Sequence, residues 1–147
     1  MGPKMRNNLF VLIAGIAVTA LFFGFLLACT PPASIKYELK VTKVEGVWRV
    51  VDASDYSKTK VKVRKKDTIV WTVDSTDAYF QFPANLFKPV GSADSLIDGY
   101  TKFVRDGKKL RLKVKDDALA GIYEYAVFCT ADDVYAKGES PPRIIIL

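Results

Sequence analysis

Two stretches of the chain alternate with a strict period of two. Lys58-Thr59-Lys60-Val61-Lys62-Val63-Arg64 sets every base on one parity and the β-branched residues on the other. Lys109-Leu110-Arg111-Leu112-Lys113-Val114-Lys115 repeats the pattern. On a helix this spacing would scatter charge around the whole circumference. On an extended strand it gives one charged face and one apolar face, because successive side chains point to opposite sides. Both stretches therefore predict half-buried strands. A chain built on such strands has to bury one sheet face against a second layer.

The rest of residues 36–147 follows the same rule. Tyr37, Leu39 and Val41 alternate with polar neighbours, and Val47 to Val51 holds Trp48. Thr68 to Val73 is a β-branched run around Trp71. Tyr79, Phe80 and Phe82 form a short aromatic strand that stops at Pro83, and residues 83–98 read as irregular, with room for one helical turn. Tyr100–Val104 and Lys109–Lys115 flank Asp106-Gly107, a hairpin signal because both residues tolerate positive φ. Gly121–Cys129 is a long aromatic strand and Arg143–Leu147 closes the chain. About eight short strands separated by turn residues predict an all-β, Greek-key β-sandwich.

The first 28 residues are different in kind. Lys4 and Arg6 precede an apolar run from Leu9 to Ala28, broken only by Thr19 and two glycines. Some 20 apolar residues are long enough for a signal anchor. A charged start, an apolar core and a small residue before a cut also describe a secretory signal. Leu26-Leu27-Ala28-Cys29 resembles the lipobox of bacterial lipoproteins. That resemblance implies cleavage after Ala28, lipid (palmitate among the acyl groups) on Cys29, and a tether over residues 29–35. Thr30 is not the Asp that retains such proteins at the inner membrane, so the resemblance favours an outer membrane in a Gram-negative host. Both readings put the domain in the cell envelope, outside the cytoplasm and held to a membrane. With Cys29 modified, Cys129 would be the one thiol left, and no internal disulfide would form.

Val61 to Thr72 (strand, turn with Asp67, strand with Trp71) resembles the cupredoxin pattern. Tyr123-Glu124-Tyr125-Ala126-Val127-Phe128-Cys129-Thr130 is similar to the strand of plastocyanins and azurins that ends at the copper-ligand Cys. The resemblance implies a cupredoxin-like sandwich over residues 36–147. Its metal chemistry does not carry over. A blue-copper site needs two imidazoles with a thiolate, and the chain has no His. Tyr79 is the expected occupant of the lost copper-ligand position after the Trp71 strand. The loop past Cys129 holds neither His nor Met. The expectation is therefore no copper electron transfer and no resident cofactor or metal.

The missing His also removes Ser-His-Asp and Cys-His nucleophile pairs and the usual zinc sites. No phosphate-cradling glycine motif is present. Asp116-Asp117 and Asp132-Asp133 lack the alternating oxygen ligands of a calcium loop and read as turn residues. An enzyme is not expected. What remains is a binding module with two candidate features. One is a basic face of Lys58, Lys60, Lys62, Arg64, Lys109, Arg111, Lys113 and Lys115, on strands expected to share one sheet. It suits an envelope protein or an anionic surface, and the Lys rows lack the interleaved aromatics of a nucleic-acid site. The other is the Tyr79/Asp132 pole. The alternative reading is a redox or metal-handling protein that uses Cys129, with further ligands from a partner chain.

Overall fold

The computed structural model describes residues 33–138 and 141–147; Cys29 lies outside them. Strands β1 (Lys36–Val44), β2 (Val47–Asp52), β4 (Thr68–Val73), β6 (Phe87–Pro89) and β8 (Lys109–Val114) form one sheet in the order β2-β1-β4-β8-β6. A second has the order β11-β10-β5-β7, from β5 (Ala78–Gln81), β7 (Thr101–Val104), β10 (Ala126–Cys129) and β11 (Val134–Tyr135). The third joins β3 (Lys60–Val63), β12 (Arg143–Ile146) and β9 (Gly121–Glu124) in the order β3-β12-β9. Only Tyr125 separates β9 from β10, so the smaller sheets are two halves of one layer. The result is an all-β sandwich.

The alternation of the sequence decides the layers. Val61 and Val63 of β3 and Leu110, Leu112 and Val114 of β8 all enter one buried cluster. Trp71 is fully buried at its centre, against Phe80, Phe82, Phe87 and Tyr125 at ring-centroid distances of 5.1–6.1 Å. Its indole N–H donates to the Tyr125 hydroxyl at 3.1 Å, which satisfies both polar groups of an otherwise apolar interior. Burial in turn pushes the Tyr125 hydroxyl pKa up.

The expected count of about eight strands is low: twelve appear among the described residues. The long strand Gly121–Cys129 divides because its partners change. The β9–β12 ladder ends at Glu124 opposite Arg143. Pro142 and Pro141 come next and have no N–H to continue it, although the Pro142 carbonyl accepts from Tyr125 N at 3.1 Å. Two short pieces, β6 and β11, add the rest. The Lys58–Arg64 strand also contracts to Lys60–Val63, because Asp67 draws the Arg64 amide into a turn. The Asp106-Gly107 turn forms, with Gly107 at φ 71°, but it is not the expected hairpin: β7 pairs with β5 and β8 with β4 and β6, so the turn carries the chain from one sheet to the other. Among the described residues the one helical turn is Ser92–Asp94.

Two ends of the sandwich follow from strand direction. At the root lie the starts of β1, β4 and β9 and the ends of β3, β8 and β12. At the crown lie the start of β5, the end of β10 and the turns at 45–46, 74–77 and 106–107. Seven residue steps lead from Gly121 at the root to Phe128 near the crown, or roughly 23 Å at strand rise.

Candidate functional site

The crown is laced by side chains that fold back onto backbone. The Asp77 carbonyl accepts from Thr130 N at 3.0 Å, and its carboxylate accepts from Asp106 N at 2.8 Å. Asp106 accepts from Ser75 N at 2.7 Å, and the Thr76 hydroxyl accepts from Ala131 N at 3.1 Å. Asp132 accepts from Trp48 Nε1 at 2.7 Å and pairs with Lys43 at 2.6 Å, and these two partners hold its carboxyl below the usual carboxylate range. Short polar residues in turns make these contacts because their side chains reach neighbouring amides without leaving the loop.

Cys129 sits beneath this lacing, fully buried. Burial, followed by the charge of Asp132, pushes its thiol up to about 11. A thiol in that state is a small apolar core residue, since only the thiolate is nucleophilic or metal-binding. Its register partner is Ala78, also fully buried. This corrects the placement of Tyr79 at a ligand position. Tyr79 is one residue out of phase with Cys129, points through the opposite face of the sheet and is 49% exposed. The donors beside Cys129 do not fit a blue-copper ion: the chain has no imidazole, and a methyl group occupies the nearest cross-strand position. Among the described residues no group of three metal-ligating side chains occurs.

The basic face does not form as a single face. β3 lies in the three-stranded sheet and β8 in the five-stranded one. Their apolar parities meet in the same core, so Lys60 and Lys62 point away from one layer while Lys109, Arg111 and Lys113 point away from the other. The expectation of one shared sheet fails because β3 pairs in parallel with the final strand β12. Several of these bases are also engaged locally. Lys58 lies outside β3 and pairs with Asp55 at 3.1 Å. Arg111 pairs at 3.1 Å with Asp94, whose side chain is 2% exposed and also accepts from Gly91 N and Arg111 N. Arg64 follows β3 and Lys115 follows β8, and both lie at the root.

What does form is an aromatic row, which the sequence reading missed. On the outer face of the four-stranded sheet, Phe103, Tyr79, Phe128 and Tyr135 are successive cross-strand partners over β7, β5, β10 and β11. The Tyr79 and Phe103 ring centroids are 4.7 Å apart, and those of Phe128 and Tyr135 are 5.2 Å apart. Tyr135 is 64% exposed. Beside the row, the small side chain of Ala126 leaves a shallow hollow of about 300 Å³ that Tyr100 also borders. A second hollow of about 380 Å³ lies between Ala126, Lys137 and Pro142. The signal available in sequence was parity: Phe103, Tyr79 and Phe128 each sit opposite to their strand's buried positions.

No protein-family model and no curated protein matches the chain. Among solved structures, it is similar to a purple cupredoxin from Nitrosopumilus maritimus: 12% identity over 76% of this chain and 99% of that one, with a TM-score of 0.42. It is similar also to amicyanin from Paracoccus versutus: 13% identity over 82% and 87%, with a TM-score of 0.40.

Proposed function

We propose that this chain is a membrane-tethered, extracytoplasmic, cupredoxin-like binding module without copper, which meets an envelope protein through the Phe103–Tyr79–Phe128–Tyr135 row. The row is the observation that carries the reading. Four aromatics in direct register, two of them tyrosines at least half accessible to solvent or nearly so, form the kind of contiguous apolar surface that marks an interaction site. Tyrosine offers a large ring and a hydroxyl at little entropic cost, as interface cores favour. The Leu-Leu-Ala-Cys29 pattern supports the tether. The module works by contact and not by catalysis, and Cys129 has a packing role.

A photo-crosslinking side chain placed at Tyr135 in the intact envelope tests this. A discrete adduct is expected there and not from the same probe at Lys60 or Lys113. Adducts at Lys113 with none at Tyr135 would overturn the row as the contact surface. Cys29→Ala should release the chain from the membrane or leave its leader uncleaved, and unchanged fractionation and size would refute the lipid anchor.

A further inference from the structure

We propose that the root of the sandwich docks on an anionic lipid surface, so that the domain stands on the membrane with its aromatic row held away from it. This rests on the reading of Cys29 as the lipid-bearing residue. The first observation is chain length. Six residue steps lead from Cys29 to Ile35, a reach of at most about 20 Å. That is less than the roughly 23 Å from root to crown at strand rise, so the tether cannot carry the domain far from the surface.

The second observation is where the chain joins the fold. Ile35 is pinned at the root: its N–H donates to Asp67 Oδ1 at 2.8 Å, and its carbonyl accepts from Thr68 N at 2.9 Å. Asp67 is buried, and its other oxygen takes the Arg64 amide at 2.8 Å. The tether therefore leaves the domain directly beside the turn Arg64-Lys65-Lys66.

The third observation is the chemistry of that end. Arg64, Lys65 and Lys66 are exposed on the turn, with Lys88 exposed on β6 and Lys115 half-buried just past β8. Two exposed acids oppose them: Asp116, which pairs with Lys88 at 3.3 Å and Lys66 at 3.9 Å, and Asp117. The root is thus net basic. At the same end, Leu119 is 75% exposed, Leu147 60% and Ile35 48%. Bases that attract anionic headgroups, set around apolar side chains that enter the headgroup boundary, are the composition of an interfacial contact. Bases are drawn to an anionic leaflet within a Debye length of roughly 8–10 Å. A tether this short holds the root inside that range. A protein partner would have to share the narrow gap between domain and bilayer, which favours lipid as the occupant.

The full chain, reconstituted in vesicles, tests the proposal. A fluorophore is attached at Leu119→Cys or at Tyr135→Cys, and quenching by nitroxide-headgroup lipid is read. With phosphatidylglycerol in the vesicles, the root probe should be quenched severalfold more than the row probe. The difference should collapse in phosphatidylcholine alone, in high salt, and when Arg64, Lys65 and Lys66 are changed to Glu. The salt series needs no charge variant, so misfolding of the triple variant does not blunt the test. Equal quenching of the two probes overturns the proposal. So does a root preference indifferent to salt and lipid charge, which would leave a mere tether. The mass of the N-terminal peptide reports separately whether Cys29 is acylated, so failure of the anchor and failure of the docking are read by different measurements.

Discussion

The two ends of this sandwich solve the problem of charge in opposite ways. At the root, one buried carboxylate, Asp67, gathers the amides of Ile35 and Arg64, and the bases around it face solvent. At the crown, acids predominate (Asp74, Asp77, Asp106, Asp132 and Asp133), and most are spent on neighbouring amides, hydroxyls, Lys40, Lys43 or Trp48. The root therefore leaves its bases available to the outside, while most of the crown's acids are engaged within its own turns, beside the aromatic row on the sheet face. One fold can then present a polar, ion-attracting end and an apolar, ring-rich side near the other end, without either weakening the shared core.

This contrast can be broken most sharply at Asp67. Asp67→Ala removes two hydrogen bonds to a buried carboxylate and should cost about 3 kcal/mol, since bonds to charged groups are worth more than neutral ones. The urea midpoint reads this loss. A cost no larger than that of Asp106→Ala would mean that the root is not the more concentrated end. Next comes Cys129→Ser, which buries a hydroxyl in the crown's apolar floor at about 2 kcal/mol. The native thiol should stay inert to aromatic disulfide reagents until denaturant is added, and prompt labelling at neutral pH would contradict its packing role.

The same thiol sharpens the comparison through pH. The ordinary value is 9.0 and the folded value about 11. Below 9 both folded and unfolded chains keep the proton, and stability is unaffected. Between 9 and 11 the unfolded chain loses it while the folded chain retains it, so stability falls as pH rises. Cys129→Ala should lack this share of the alkaline slope, and parallel slopes for the two proteins would refute it. The smallest expected effect is at Lys66, which holds φ at 72° in the root turn. Lys66→Gly should relieve that strain and stabilise by about 0.5 kcal/mol, because glycine adopts this conformation without a Cβ clash. It should also weaken binding to anionic vesicles, and stronger binding would argue that the turn's charge is incidental.

Much of the fold was legible from parity alone. Alternation over 58–64 and 109–115 identified β3, β8 and their buried faces, because one strand's periodicity is local information. The site was less legible, because it depends on register between distant strands. Residues 79, 103, 128 and 135 become neighbours only through three antiparallel pairings, and nothing in their spacing encodes them. The Tyr79 placement failed by a single residue, and a one-residue slip exchanges the faces of a strand. The division of the basic ladders turned on a parallel pairing between β3 and the last strand, a contact that spans most of the domain's sequence.

The outer edge of β2 is occupied by Lys137, whose carbonyl accepts from Val50 N at 3.1 Å and whose N–H donates to the Trp48 carbonyl at 2.8 Å. An open edge is a template on which another copy's backbone can add a strand. Molecules held to one surface meet each other at far higher local concentration than molecules in solution. Capping this edge with a residue from the opposite layer would let copies of this chain, tethered as proposed, crowd together without polymerising through it.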